Sequence, residues 1–583
     1  MIGKRSEQRD LFDVGNVYAL ELPAKSFYAQ LAKAAPNLFS DDKFEALYSK
    51  RMGRPSVPPS ALAMALILQG HDQVSDAEAI ARTAFDLRWA AVLGREAGTP
   101  LCAKSTLQLF RAQLILNDGV RSLFVESIME AKRKGLMKGV LRVAVDTKPI
   151  LGRGAVEDTY NLLATGIRQL ARAIARTNGQ RTEEFLRERG FERFTADSVK
   201  GAADIDWSDE KARNSFLGAV VQDARKLLDL STDASEDVER ASDLLRQLLL
   251  QDIEEKPAPD GGMVISVKEG TAPGRVPSVN DPEMRHGRKS SSKRFDGHKA
   301  SVAVDIESQI IVAADVLSGD AADQTDVLSL VKNAEANSGE AVAETLGDCA
   351  YGGGPTRVAF EEAGRTLIAK VPRECARDGF YPKSAFQIDL ENNTVTCPAG
   401  NTTDRYDDEK DGSKTFRFGS VCASCPLKGA CTRSARGRTL TVHPQEAQLR
   451  TARQYQATSE GKKKLRSRVA VEHALARLGH LGIGQARYRG KRKTAYQLLI
   501  AATIANLRRT WNWLEARNPS DSTPTGAPPH ALRQLMAAIS WILTTNWVAT
   551  AVQIWRPHQR QILCQAVSKR TGFAGMLTFR PTF

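Results

Sequence analysis

The sequence predicts an α/β fold, a mixed sheet interrupted by two insertions and preceded by an all-α region. Three observations carry this. The run LRVAVDTKP alternates as a strand does, with Leu141, Val143 and Val145 on one face and Asp146 on the other. The run AVAETLGDCAYGGG reads as a short buried strand that ends in Asp348 and a glycine-rich turn. Around them, further strand-like runs alternate with segments whose apolar residues recur at three- and four-residue spacing.

In chain order, residues 1–140 read as short helices. Pro55, Pro58 and Pro59 lead into an apolar helix; Ser75 and Glu78 fit a capping box for a second; Ser105 or Thr106 could cap a third. Helices joined by tight turns suit a helix-turn-helix reader of DNA, and equally a helical dimerisation or packing domain. After the strand at 141–147, helical stretches from Asp158 to about Glu254 and the loops PAPDGG and TAPGRVPSVNDP form a helical insertion, about 158–285. KRFDGHKASVAVDIESQIIVAADVLSG then reads as a hairpin turning at Glu307 and Ser308. A helix from near Thr325, the strand ending at Asp348, a helix from near Gly354 and the strand RTLIAKVP follow. This is the order of an RNase H-like sheet, in which the first and fourth strands lie side by side and would bring Asp146 and Asp348 together.

Residues 376–460 form a second, Cys-rich insertion of short strands, with a hairpin at Asn392 and Asn393. RSRVAVEHALARL places Glu472 on a helix; its nearest competitor, Glu460, reads as loop. KRKTAYQLLIAATIANLRRTWNWL closes the core domain, 141–515. Residues 516–530 are a linker by composition. The 531–583 tail contains QLMAAISWILTTNWVATAVQIW, uncharged and long enough to cross a bilayer, though its Gln, Ser, Thr and Asn content favours an added helix of unknown role over a membrane span.

At 583 residues the chain exceeds one ordinary core. Its 82 Lys and Arg against 68 Asp and Glu give +14 and a pI near 9.4, which favours a polyanionic partner. The start MIGKRSEQRDLFDVGN has no secretory pattern, so a cytoplasmic location is expected. Eight cysteines in so long a chain are no disulfide framework, and no GxxxxGK[ST] loop is present.

Three acids on a strand, a strand end and a helix suggest one metal site: Asp146, Asp348 and Glu472. Phosphodiester chemistry uses two divalent ions about 3.5–4 Å apart on carboxylate oxygens. Any one Asp or Glu is a solvated surface charge by default, so the inference rests on topology. From Lys462 to Lys493 that single acid, Glu472, stands among eleven Lys and Arg. Lys462, Lys463, Lys464, Arg466, Arg487, Arg489, Lys491, Arg492 and Lys493 therefore read as a phosphate-tracking surface. Tyr488 could stack on a base or pack against the helix. Cys397, Cys422, Cys425 and Cys431, spaced C-x24-C-x2-C-x5-C, have tetrahedral zinc spacing; the other reading is four reduced thiols. Four thiolates would leave no open position, so the zinc would be structural.

VAVDTKP, GHKASVAVD, GDCAYGGG, the R-x-x-x-E helix of Arg468 and Glu472, and AATIANLRR resemble the DDE transposases of bacterial insertion sequences. GRPSVPPSALAMALIL with VSDAEAIARTAFDLRWAAVLG resembles the helical domain that precedes their catalytic domain, and together these runs cover most of residues 45–512. The resemblance implies that Asp146, Asp348 and Glu472 form a catalytic triad holding two Mg2+ (or Mn2+) ions, and that Arg468 contacts a DNA phosphate near the cleavage point. It also implies similar cysteines at this place and double-stranded DNA partners, the element's terminal inverted repeats and target DNA. A homodimer or larger assembly on DNA, nucleoid-associated when bound, is expected with them. Some relatives carry a tyrosine three residues before the arginine and a lysine seven after the glutamate; here those positions are Leu465 and Gly479. Two rival readings are an RNase H-like nuclease without strand transfer and a non-catalytic DNA-binding regulator derived from a transposase.

Overall fold

The computed structural model describes residues 1–5, 22–49, 53–231, 235–257, 262–290, 292–371 and 379–517. The expected tail, and the linker except for 516 and 517, lie outside the described residues. Residues Met1–Leu514 form one compact unit.

Among the described residues six α-helices come first: α1 (Phe27–Leu38), α2 (Pro59–Asp72), α3 (Asp76–Phe85), α4 (Leu87–Leu93), α5 (Lys104–Leu116) and α6 (Gly119–Arg133). In α2 every residue from Pro59 to Gln69 is buried, as a helix apolar all round must be. The capping box is half made. Ser75 Oγ accepts the Glu78 N–H at 3.1 Å, but the Glu78 carboxylate turns to Arg82 instead of back to the cap. Neither Ser105 nor Thr106 caps α5. The helix starts at Lys104 after Ala103, so both residues sit inside its first turn.

The strand β1 (Leu141–Leu151) opens the sheet. It is followed by the insertion helices α7 (Thr159–Thr177), α8 (Thr182–Glu188), α9 (Val199–Ala202), α10 (Glu210–Asp229) and α11 (Glu236–Asp252). A hairpin, β2 (Ile253–Pro257) with β3 (Met263–Val267), stands where loop was expected, because these half-exposed runs show no clear two-residue period. The sheet resumes with β4 (Arg285–Arg288), β5 (Arg294–Asp305) and β6 (Ile311–Ser318); β5 and β6 form the expected hairpin, and the short β4 pairs the start of β5. Helix α12 (Val327–Ser338), β7 (Val342–Gly347), α13 (Gly354–Glu362) and β8 (Leu367–Ala369) complete it. The main order is β6-β5-β1-β7-β8, with β1 antiparallel to β5 and parallel to β7, so the first and fourth of the expected strands are neighbours.

The Cys-rich region consists of two three-stranded sheets, β9 (Gln387–Asp389), β10 (Thr394–Thr396) and β11 (Thr402–Thr403), then β12 (Tyr406–Asp408), β13 (Lys414–Arg417) and β14 (Thr439–Val442). The expected hairpin turns at Asn393, which adopts a left-handed φ of 49°. Helices replace short strands sooner than the sequence suggests: α14 (Glu446–Ala457) and α15 (Ser459–Ser467) precede α16 (Val469–His480) and α17 (Lys491–Arg517). In α14 only Glu446 and Leu449 are buried, so there is no apolar stripe to read. Glu460 accordingly lies in the first turn of α15 and not in a loop.

One apolar cluster joins α2, α5 and α6 to both faces of the sheet, α16 and α17. Asn506 of the AATIANLRR run clamps this junction. Its Oδ1 accepts the Ile311 N–H at 2.8 Å, and its Nδ2 donates to Ile311 O at 2.9 Å and to Ser127 Oγ at 3.1 Å. The insertion has its own cluster, drawn entirely from residues between Leu162 and Val279.

Candidate active site and nucleic-acid interface

Asp146 and Asp348 are brought together by strand register. The parallel pairing runs through Val143 with Thr345 and Ala144 with Leu346. Asp146 lies two residues past Ala144 on β1 and Asp348 one residue past the end of β7, so the ladder brings the two acids to the same level of the sheet. The Asp348 carboxylate accepts the Ala350 N–H at 2.9 Å, which fixes the turn. There Gly352 is required for close approach, since a Cβ would fall 1.8 Å from Lys370 O. Asp146 Oδ1 accepts its neighbour's Thr147 N–H at 2.7 Å. Burial raises the Asp146 pKa above the ordinary carboxylate range; the Thr147 N–H and Arg468 oppose this, and the Asp348 charge adds to it.

Glu472 stands on the first turn of α16 with its side chain half exposed. It is linked to Asp146 through Arg468, the residue between α15 and α16. One guanidinium nitrogen donates to Asp146 Oδ2 at 3.0 Å, and the other donates to Glu472 Oε1. The expectation for Arg468 was a DNA phosphate; in the protein alone it bridges two of the three acids. Carboxylate oxygens are the donors that hard divalent ions take. Yet among the described residues no three His, Cys, Asp or Glu side chains are arranged to hold an ion. At Asp146 and Glu472 the Arg468 guanidinium stands between the donors.

The basic stretch divides. Lys464 is held by Glu344 and, at 3.4 Å, by Glu460; Arg492 donates to Ile115 O at 3.3 Å; Arg487 lies 3.6 Å from Asp76 and over the Tyr488 ring. Tyr488 packs at an angle on buried Tyr496, which favours the packing role for it. Lys462, Lys463, Arg466, Arg489, Lys491 and Lys493 are exposed. Lys462 and Arg466 line a groove of about 840 Å³ that also contains Lys370, Arg453, Arg468 and Glu472. Of the two departures from the fuller signature, Leu465 packs against the main core and Gly479 lies against the Lys148 ammonium.

Two residues near the acids escape a sequence reading. Tyr351 is fully buried and its hydroxyl has no partner among the described residues. Burial and the charges of Asp146, Asp323 and Asp348 push its pKa far up. Asp323 lies in the loop after β6, paired with buried Lys299 at 2.8 Å. Tyr351, three residues past Asp348 in the quoted turn, was the available signal.

Cys397, Cys422, Cys425 and Cys431 converge on one cavity of about 20 Å³. The Arg438 N–H points at Cys422 Sγ, 3.4 Å away. Burial pushes the Cys431 thiol pKa up; Arg438 opposes this, and the other three thiols add to it. Among the described residues these thiols are not arranged to hold a metal ion.

Residues 396–511 match the family model described as a transposase DDE domain, and residues 17–113 match the one described as a transposase domain (DUF772). The first match takes in the four cysteines, Arg468 and Glu472 and begins after Asp348. No curated protein and no solved structure matches the chain. Among the described residues no helix is long and apolar enough to cross a membrane.

Proposed function

Both family matches support a DDE transposase of an insertion sequence, and from that premise we propose that the chain binds the terminal inverted repeats of its element, cuts the DNA at the element ends with water and joins the freed 3′ hydroxyl to target DNA. The observation that carries the proposal is the parallel pairing of β1 with β7, which brings Asp146 level with Asp348, with Glu472 linked to Asp146 through Arg468. The strand order supports an RNase H-like core. Asp146, Asp348 and Glu472 would hold two Mg2+ (or Mn2+) ions, which when bound lower the pKa of the attacking water and offset charge on the phosphate. Arg468 would exchange the two carboxylates for a DNA phosphate as the site fills, since a guanidinium fork suits either. Lys370, Lys462 and Arg466 in the adjoining groove would track the backbone of the same strand. Cys397, Cys422, Cys425 and Cys431 would hold a structural Zn2+ that stabilises the small sheets around it. Two element ends must be handled together, so a homodimer or larger assembly is proposed on DNA.

The test incubates purified protein with DNA bearing the flanking inverted repeats and Mg2+ or Mn2+, then maps cut and joined products. Asp146→Ala, Asp348→Ala and Glu472→Ala should each abolish cutting and joining while end binding survives. Robust metal-dependent cutting by one of them removes that residue from the site. Cutting without joining or end preference identifies a nuclease, and end binding without cutting by the wild type identifies a regulator.

A further inference from the structure

A second groove, of about 420 Å³, lies between the N-terminal helices and the loop that joins α16 to α17. Two guanidinium groups, Arg153 and Arg487, and four amides, Gln69, Gln73, Gln485 and Gln497, line it, and among the described residues no carboxylate does. The loop is pinned by its backbone. At the end of β1 the Leu151 N–H donates to Gly484 O at 2.9 Å and Leu151 O accepts the Ala486 N–H at 2.7 Å. On α17 the Gln497 amide accepts the Arg487 N–H at 2.7 Å and donates to Gln485 O at 3.0 Å. The side chains are left open. Gln485 and Arg153 are exposed, and neither makes a side-chain hydrogen bond or ion pair among the described residues. Arg487 lies 3.6 Å from Asp76, whose carboxylate already accepts from Gln69, Gln108 and Arg111. One helical turn before Gln497, on the same face of α17, Lys493 adds an exposed cation.

Amides read base edges and guanidinium groups grip phosphates, and a reader needs a rigid backbone under a free side chain. We propose that this groove reads the sequence of the element end, with the Gln485 amide on a base edge and Arg153 and Arg487 on phosphates beside it. This rests on the reading of the chain as an enzyme that cuts at element ends, and adds where in the end the sequence is read. β1 pairs with β5 without a break from Asp146 to Leu151, a span of about 17 Å, and Leu151 bridges to Gln485. At about 3.4 Å per base pair, a duplex laid along β1 from the acids reaches the groove about five base pairs from the cut.

The experiment compares binding of the full chain to two short duplexes over a salt series without divalent ions. One carries an intact element end; in the other, base pairs about four to seven from the element boundary are exchanged by transversion. Gln485→Ala should reduce the preference for the intact end about tenfold and leave the slope of log K against log salt unchanged, since a base contact and no phosphate contact is lost. Arg153→Met should instead lower the slope by about one and weaken both duplexes alike. Both positions are exposed, so both variants should melt with the wild type. If Gln485→Ala melts early, hydroxyl-radical footprinting of the wild type decides in its place, with protection expected in the exchanged window and its absence overturning the proposal. Equal binding of the two duplexes by the wild type, or an unchanged preference in Gln485→Ala, overturns the reading site. Cleavage in Mn2+ tests the premise separately: a wild type that prefers the intact end and never cuts it overturns the functional reading, and the Gln485 comparison still judges the groove.

Discussion

The N-terminal helices and the helical insertion are both largely helical additions to one sheet, yet they are attached in opposite ways. The N-terminal helices contribute to the main core, and polar contacts reach from them across the whole chain. His71 meets Arg508, Gln73 donates to His480 O at 2.9 Å, and Lys132 binds Glu340 at 2.6 Å. The insertion packs on itself and on the β2–β3 hairpin, with a core that includes none of the sheet. Its two ends meet at the sheet, where a Cβ on Gly154 would fall 2.9 Å from Asp281 Cβ. One piece is therefore structurally part of the unit built on the main sheet, and the other hangs from it.

The largest test of this contrast is deletion. Removing residues 45–120 should unfold the sheet region as well, because it strips all of α2 to α5 from a shared core. Joining 154 to 281 through a short Gly-Ser linker should leave a folded remainder. Circular dichroism melts and limited proteolysis of the two truncated chains compare them directly, and a folded remainder after the first deletion would dissolve the contrast. Loss of end recognition in that first deletion would consequently report unfolding as much as a lost reader.

Single buried acids sharpen the comparison. Asp72 accepts hydrogen bonds from Tyr28 and Arg82 at 2.7 Å and from Trp89 at 2.9 Å, and contacts His71 at 2.6 Å. Asp252 is held by both arms of Arg275 at 2.6 Å and by Thr159 at 3.1 Å. Asp252→Ala leaves the largely buried Arg275 without its carboxylate and should cost about 3–5 kcal/mol; Asp72→Ala leaves Tyr28 and Trp89 without their acceptor, while Arg82 keeps Glu78, and should cost about 1–3 kcal/mol for each buried group left unsatisfied. Asp72→Ala should lower protection from hydrogen exchange throughout the main core, whereas Asp252→Ala should lower it within residues 158–267 alone.

The Asp72 site also gives a pH dependence. Burial would raise its pKa, but hydrogen bonds from His71, Tyr28 and Trp89 outweigh this and hold it well below the ordinary range. A depressed folded pKa means that the contribution is complete above the unfolded value, about 3.9, and is lost as pH falls below it. Denaturant melts between pH 6 and pH 3 should show wild type losing stability on the acid side by more than Asp72→Ala does. The smallest effect is expected for Ser75→Ala, about 1 kcal/mol, from one lost cap at the start of α3. That loss should appear in the main-core melt and leave the insertion unchanged.

Much of the sheet was legible because β1, β5, β6 and β7 keep their apolar residues in short runs bounded by turn residues, and because strand order alone places Asp146 beside Asp348. The helices α14 and α15 were not, since surface helices with little apolar content leave no stripe. The site was legible as a set of residue types but not as a network. Arg468 and Asp146 are 322 residues apart, and nothing local tells an arginine that will hold two acids from one that waits for phosphate. The same holds for Lys464, which reads as one more surface cation until Glu344, 120 residues earlier, is found against it. The four cysteines did carry their own signal through spacing, and they meet at one cavity.

The contact between His71 and Arg508 links residues 437 positions apart, and the core it borders needs both ends of the unit. During synthesis the apolar helix α2 leaves the ribosome long before α17 exists to cover it. At about 5–20 residues per second the wait is roughly 20–90 s. Over that interval the nascent chain carries an exposed apolar helix, so chaperone supply and translation speed, more than the final stability of the fold, should govern how much active protein a cell obtains.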